Sequence, residues 1–206
     1  MLRLAVMLAG LTFLVTGCLS SRPRQVYALS DAPDRSLEVT GVGTGPELRL
    51  RRVLVPDYLD STDILIRVGA HELRESPSGH WSERLSLGVT RAMWADLTAR
   101  LPAGAITLAQ RPGTATREIV IAVDAFDVWS NGRCQLVANW TILDTDHKAV
   151  LASGGGTFTS AGVRGGAGDR AAVAGMANAL GELANNIAAA IPAAAGPPTA
   201  GNAHGE

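Results

Sequence analysis

A short apolar segment at the start of the chain decides how much of the sequence is left to fold. Met1 to Arg3 carry one positive charge, and Leu4 to Val15 form a mainly apolar run. The run is shorter than the about 20 residues that a membrane-spanning helix needs, but it has the length of a signal-peptide core. We therefore expect residues 1–17 to be a signal peptide and the fold to be built from the residues that follow.

The residues at the end of this segment resemble the bacterial lipobox. Val15-Thr16-Gly17-Cys18 is a branched apolar residue, two small residues and a cysteine, whose sulfur takes up diacylglycerol. Each buried CH₂ adds roughly 0.8 kcal/mol to membrane binding, so two or three acyl chains make the anchor effectively permanent. We predict membrane attachment through lipidated Cys18, with residues 18–24 as a tether. An ordinary secretory signal with a chance cysteine is the alternative. Leu19 stands where a retention signal for the inner membrane has aspartate, which favours the outer membrane, facing the periplasm.

The bulk composition limits the fold and excludes one class of partner. Removing residues 1–17 leaves 206 − 17 = 189 residues, enough for one domain with its own core. Arg3 leaves with the signal peptide, so the remaining side-chain charge is 17 − 19 = −2, which argues against nucleic-acid binding. With Cys18 lipidated, Cys134 has no partner for a disulfide, and packing alone must stabilise the domain.

Hydrophobic patterns predict the elements of the first half of the chain. We expect strands at Val26–Leu29, Leu48–Val55, Ile64–Val68 and His71–Arg74, and a turn at Pro77-Ser78-Gly79. The apolar phase of the second strand changes between Leu50 and Val53, which predicts a bulge near Arg51 and Arg52.

The second half predicts two helices around an antiparallel meander. Its predicted elements are a helix at Ser82–Arg100 capped by Ser82, strands at Glu118–Val128, Cys134–Ile142 and Val150–Thr159, and an amphipathic helix at Asp169–Ala190. Asn131-Gly132 is a strong hairpin-turn signal. We therefore predict a single α+β domain over residues 25–191, a mostly antiparallel sheet with two main helices packed on its apolar face. Residues 192–206, rich in Ala, Gly and Pro, predict a disordered tail.

Several local sequences resemble one known family. They are Val53–Asp60 (VLVPDYLD), Ile64–Arg67, Trp81–Leu85, Ile121–Asp127, Ala138-Asn139-Trp140 and Met176–Leu180. In this order they resemble the PqiC-like, ABC-type transport auxiliary lipoprotein family, over about Tyr27 to Ile191. The chain departs from the family at Ser61, where a basic residue is frequent, and at Gly41–Pro46, which looks like an insertion.

The resemblance implies a function without catalysis. It implies an outer-membrane lipoprotein of an envelope lipid-transport system, working beside a permease and an MCE-domain protein that bridges the periplasm. It also implies a homo-oligomer, no cofactor and no catalytic residues. Two other hypotheses come from different classes: a lipid carrier with an apolar ligand between sheet and helices, and a periplasmic enzyme.

The loop that interrupts the strands is the first candidate for a partner interface. Tyr58, Leu59 and Asp60 lie in it, and exposed aromatic and aliphatic anchors are favoured in interfaces. The alternative is a turn whose Tyr and Leu fold back into the core. Trp81 is a further candidate anchor, or else a residue that packs against Leu85 at the start of the helix.

Basic residues on the strands are the second candidate. Arg49, Arg51, Arg52 and Arg67 would form a strip for phosphates or partner carboxylates, or else only keep a sheet edge soluble. Cys134 is in phase with apolar neighbours, so we expect it to be buried and unreactive.

The remaining motifs do not support catalysis or metal binding. The glycine run Gly162–Gly168 lies between a strand and a helix, but no later strand would carry the ribose-binding acid of a dinucleotide site. The four histidines (His71, His80, His147 and His204) lack metal-ligand spacing, and Gly-x-Ser-x-Gly does not occur. Asp124 and Asp127 are three apart on a strand, which predicts opposite faces and no acid–base pair.

Overall fold

A computed structural model describes residues 23–30, 48–102, 105–108, 115–144, 149–162 and 166–194. The predictions of the signal peptide, of the lipidated Cys18 and of most of the tether lie outside the described residues. The same holds for Gly41–Pro46 and for all but the first residues of the predicted tail.

The described chain forms eight strands and two helices. In order they are β1 (Gln25–Tyr27), β2 (Leu48–Leu50), β3 (Asp63–Arg67), β4 (Leu73–Trp81), α1 (Leu85–Arg100), β5 (Ile106–Leu108), β6 (Arg117–Val128), β7 (Arg133–Asp144), β8 (Val150–Ala161) and α2 (Gly168–Ala194). The strands form a three-stranded sheet, β1-β4-β3, and a five-stranded sheet, β5-β2-β6-β7-β8. The α+β prediction is confirmed, but there are two mixed sheets, because β1 pairs with β4, and β2 with β5 and β6, in parallel.

The meander β6-β7-β8 is antiparallel, as its alternating pattern predicted. Gly132 has φ +81° in the β6–β7 turn, a conformation that glycine adopts without steric cost. A register shift between Val123 and Ala125 places one extra residue, Asp124, on β6. Because of this bulge Asp124 and Asp127 both lie on the face away from the core, so the prediction of opposite faces was wrong.

Helix α2 lies over β6, β7 and β8 of the meander, and α1 packs beside α2 and against β5. The buried residues of α2 are Ala171, Ala172, Met176, Ala179, Leu180, Leu183, Ala184 and Ile187. Gly175 brings α2 against the turn, since a Cβ there would overlap the carbonyl oxygen of Gly132. Arg100 Nε at the end of α1 donates to Asn185 Oδ1 of α2 at 2.6 Å. The predicted amphipathic stripe is therefore the contact between helix and sheet.

Strand β2 ends at Leu50, so the predicted strand Leu48–Val55 is too long, but the segment after it changes phase as predicted. Arg51 N donates to Ile119 O and Leu54 N donates to Ile121 O, both at 3.0 Å. Residues three apart on one segment thus meet residues two apart on β6, which is the geometry of a bulge. Leu50 and Val53 both point into the core as a result.

The predicted turn at Pro77-Ser78-Gly79 was wrong, because these residues lie within β4. On β3 Asp63 and Leu65 are two positions apart, whereas on β4 their partners His80 and Glu75 are five positions apart. The proline sits in this wide irregularity, where no ladder hydrogen bond from its nitrogen is needed.

Candidate functional site

The loop Pro56–Ser61 between β2 and β3 is closed by its own backbone. Leu59 N and Asp60 N both donate to Pro56 O, at 2.9 and 3.2 Å. The turn points neighbouring side chains in opposite directions: Leu59 is only 3% exposed and packs in the core, whereas Tyr58 is 49% exposed. The alternative that the loop residues fold back into the core is therefore correct for Leu59. Tyr58 is the exposed aromatic residue of the loop.

Asp60 joins this loop to the first turn of α1. Its Oδ1 accepts a hydrogen bond from Ser86 N at 2.9 Å, and its Oδ2 lies 3.6 Å from Arg84 Nε and 3.8 Å from Arg52 Nη2. Burial acts to raise the pKa of Asp60, but the hydrogen bonds from Ser86 and the charges of Arg84 and Arg52 outweigh it and hold that pKa below its ordinary value. Asp60 is thus ionised and fixed in place.

This contact corrects the predicted helix start. The helix begins at Leu85, Arg84 occupies the N-cap position, and no N-cap side chain accepts a hydrogen bond there. The free N–H groups of a first turn need an acceptor, and Asp60 supplies one from another segment. Ser82 is therefore not the cap.

An ion pair between the two sheets lies within electrostatic range of Tyr58. Arg67 Nη2 of β3 is 2.6 Å from Asp127 Oδ1 of β6, and the side chains are 19% and 18% exposed. Arg67 Nη1 also donates to Ala70 O at 3.1 Å, which ties the pair to the β3–β4 turn. Burial raises the pKa of Tyr58, the Asp127 carboxylate adds to the rise, and the Arg67 guanidinium opposes it. The phenol is therefore neutral and close to both charged groups.

Leu54 extends the exposed apolar area along β6. It forms an isolated bridge to Ala122 and is 60% exposed. Leu54, Tyr58, Arg67 and Asp127 are called the Tyr58 surface below. This surface combines two exposed apolar side chains with a partly buried ion pair; Asp127 lies in β6 and Leu54 is bridged to it.

The other predicted interface residues lie elsewhere. Trp81 is 4% exposed and belongs to the same core as Leu85. It is therefore a packing residue at the start of the helix and not an exposed anchor for a partner. Arg49 and Arg51 approach Glu118 at 3.6 and 4.0 Å, at the end of β6 opposite Asp127. Nine residues of strand, roughly 30 Å, separate the two ends. The predicted set is thus not one site.

Asp127 was missed as a site residue by the sequence reasoning. Its ion-pair partner Arg67 is 60 positions earlier in the chain, and no local sequence pattern indicates that β3 and β6 are neighbours. A partly buried acid at the end of an apolar strand is the one signal that the sequence offers, since such a residue needs a partner.

The described residues hold no cluster of His, Cys, Asp and Glu able to bind a metal ion. Cys134 is buried, as expected, and burial, with a smaller effect of Asp127, raises its pKa to about 12. A cleft lined by Tyr27, Leu29, Trp81 and Gly88 encloses a volume of about 0 Å³ for a water-sized molecule. Sites for drug-sized ligands have roughly 300–1,000 Å³, so this cleft does not fit a lipid. None of the described helices is long and apolar enough to cross a membrane.

The protein is an α+β domain with an exposed aromatic residue on a hydrogen-bonded loop and an ion pair between its two sheets. The chain belongs to the ABC-type transport auxiliary lipoprotein component family, whose model matches residues 27–188. It thus belongs to a family of auxiliary lipoproteins of ABC-type transport, and this membership implies a transporter partner and a lipid-anchored location in the cell envelope.

Solved structures share this fold. A crystal structure of an uncharacterized protein is similar with a TM-score of 0.64 and 17% identity, over 82% of this chain and 98% of that one. Protein XCC0632 from Xanthomonas campestris is similar with a TM-score of 0.59 and 18% identity, over 82% of this chain and 96% of that one. No curated protein matches the chain. At these identities the likeness concerns the fold alone.

Proposed function

We propose that this protein is a non-catalytic outer-membrane lipoprotein that docks the periplasm-spanning MCE-domain protein of an ABC-type lipid transport system. The single observation that carries the docking role is the Tyr58 surface, an exposed aromatic side chain on a loop held by Asp60 and flanked by the Arg67–Asp127 ion pair. Lipid would pass from the bridging protein to the membrane without crossing water, and the domain would act by positioning alone.

The hydrogen bonds that fix the conformation of the loop support this role. Tyrosine and arginine are enriched among the residues that dominate binding energy. Ordering a loop or side chain on binding costs roughly 0.5–1.5 kcal/mol per group. The Pro56–Ser61 loop is already closed by its own hydrogen bonds and tied to α1, so Tyr58 meets a partner with little of this cost.

The distance from the predicted anchor to the fold supports the membrane location. Cys18 and Gln25, the first residue of β1, are seven positions apart, which is at most about 25 Å of extended chain. A lipidated Cys18 would thus hold the domain next to the bilayer.

The docking role is tested by substitution at Tyr58 in the full-length protein. Tyr58→Ala should weaken binding to the MCE-domain protein of the same transport system at least tenfold, about 1.4 kcal/mol, measured by surface plasmon resonance. Tyr58→Phe should bind almost as the parent protein does, because the ring is kept. Val26→Ala is the control, since Val26 is an exposed apolar residue of β1, 60% exposed, outside the Tyr58 surface. Unchanged affinity of Tyr58→Ala would refute docking through this surface.

The anchor is tested separately. Cys18→Ala should give a folded protein that binds the partner but does not support transport in cells. Continued transport by this variant, or mass spectra showing an unmodified Cys18 in the membrane-bound protein, would contradict the anchoring role.

A further inference from the structure

The chain enters the described fold at one end of the domain, close to the predicted lipid anchor. Arg24 Nη2 donates to Ser76 O of β4 at 2.7 Å, and Gln25 of β1 pairs with Gly79 of β4. Six positions separate Cys18 from Arg24, which is at most about 22 Å of extended chain. The part of the domain that lies around Arg24 is therefore the part that a lipidated Cys18 would hold next to the bilayer.

Three structural elements meet at this end. Ser78 Oγ of β4 donates to Asp169 Oδ2 at 2.8 Å, and Asp169 lies in the first turn of α2. The start of α2 packs on the β6–β7 turn, since a Cβ at Gly132 would overlap the carbonyl oxygen of Ala171. Trp129–Arg133, called the hairpin tip below, thus lies at the end where the tether enters. Strand β7 is 12 residues long, roughly 40 Å, so the other end of the meander lies beyond the reach of the tether.

The hairpin tip presents an aromatic ring and a guanidinium group. Arg133 Cζ lies 3.8 Å from the centroid of the Trp129 ring, which is a cation–π contact. Trp129 N donates to Arg133 O and Gly132 N donates to Trp129 O, both at 2.9 Å. Arg133, Ser130 and Asn131 are exposed, and Trp129 is partly exposed. The turn therefore holds the two side chains together at the surface.

This pair of side chains suits the headgroup region of a bilayer. Tryptophan is enriched at membrane–water interfaces, where its amphipathic ring lies at the level of the headgroups. A stacked guanidinium group keeps the N–H donors in its plane, and these match the oxygens of a phosphate. Among the described residues no carboxylate forms an ion pair with Arg133. The exposed Arg170 at the start of α2 adds a second positive charge, which anionic lipids attract.

We propose that the hairpin tip lies in the headgroup region of the bilayer that holds the lipid anchor, with Arg133 on lipid phosphates. The bilayer is the occupant because the tether brings this end of the domain to it, and not the other. The inference rests on the proposed lipidation of Cys18 and not on docking at the Tyr58 surface. It also gives a position to the docked partner: Asp127 of the Tyr58 surface is two residues before Trp129, so a partner bound there lies close to the membrane.

Quenching by spin-labelled lipid tests the contact in the full-length lipidated protein. The protein is reconstituted in vesicles of phosphatidylethanolamine and phosphatidylglycerol that contain a lipid with a nitroxide on its headgroup. A fluorophore on Ser130→Cys should lose about half or more of its emission, whereas the same fluorophore on Val150→Cys, roughly 40 Å away at the other end of the meander, should lose little. Labelling is specific, because Cys18 carries lipid and Cys134 is buried.

Mass spectrometry of Cys18 in the same sample separates two failures. An unmodified Cys18 would overturn the proposed anchor and this inference with it. A lipidated Cys18 with equal quenching at positions 130 and 150 would overturn this inference alone.

Substitution of the aromatic residue gives a second test. Trp129→Glu should reduce the quenching of the Ser130→Cys fluorophore by about half or more, while the protein stays on the vesicles through its lipid. Trp129→Tyr should keep most of the quenching, because tyrosine also favours the interface. Val150→Glu is the control, since it adds the same charge at an exposed position far from the tip and should change nothing.

Melting temperatures close to that of the parent protein would show that these variants fold. Unchanged quenching in Trp129→Glu would overturn the proposal. So would a loss of binding to the MCE-domain protein in this variant when the parent protein shows no quenching at position 130, because the tip would then belong to the protein partner.

Discussion

The carboxylate of Asp60 stabilises α1 in two ways that substitutions can separate. Oδ1 accepts the Ser86 N–H at 2.9 Å, which satisfies a free donor of the first turn. The negative charge interacts with Arg52, Arg84 and the helix dipole. Asp60→Asn keeps an acceptor oxygen and removes the charge, whereas Asp60→Ala removes both.

The expected magnitudes follow from these contacts. An acceptor at a helix start is worth about 0.5–2 kcal/mol, and asparagine serves about as well as aspartate. The side chains of Arg52 and Arg84 are 50% and 64% exposed, so each ion pair contributes less than about 1 kcal/mol. Asp60→Asn should therefore cost about 0.5–1 kcal/mol of unfolding free energy at pH 7, and Asp60→Ala about 1.5–3 kcal/mol.

The pH dependence separates the charge from the hydrogen bond. Because the pKa of Asp60 is lower in the folded protein, its charge stabilises the fold above its unfolded pKa, and this stabilisation is lost as pH falls through the folded pKa. Urea unfolding followed by tryptophan fluorescence at pH 7 and at decreasing pH below about 4 should show the difference between Asp60→Asn and the parent protein closing. A difference that stays constant to pH 2, or equal losses in both variants at pH 7, would refute the reasoning.

Two further predictions concern the core. Gly175→Ala should lower the unfolding free energy by about 1–3 kcal/mol, because its Cβ would overlap the Gly132 carbonyl. Gly181→Ala should be neutral or stabilising by up to about 1 kcal/mol, since outside its own helix a Cβ there would meet only the flexible end of Arg100, at 3.6 Å. Equal urea midpoints of the two variants would contradict the close packing at Gly175. Burial raises the pKa of Cys134 to about 12, so its thiol should not react with iodoacetamide at pH 8 in the folded protein. In 8 M urea it should react, and peptide mass spectrometry would show the difference. Labelling of Cys134 in the folded protein would contradict its burial.

The elements predicted well from the sequence are those whose signal is local. The meander β6-β7-β8 follows from alternation and from the Asn131-Gly132 turn, and the stripe of α2 follows from helical spacing. Even the bulge after Leu50 was predicted, because a change of apolar phase has to be absorbed within the same segment.

The elements predicted wrongly depend on partners far along the chain. The acceptor at the start of α1 comes from Asp60, 26 positions before Ser86, so Ser82 looked like the cap. Pro77 is accommodated by a pairing irregularity with β3 that no local pattern reveals. The exposed Tyr58 and buried Leu59 are adjacent, and only the turn geometry shows which of them reaches the surface.

The shared role of Asp60 has a consequence for how fast a partner is captured. The loop that carries Tyr58 and the first turn of α1 are fastened by the same carboxylate, so the loop is not free to move without uncovering a backbone donor of the helix. A partner therefore meets a preformed shape, without a preceding rearrangement. Its association should follow one exponential phase whose rate rises linearly with partner concentration and reaches no plateau.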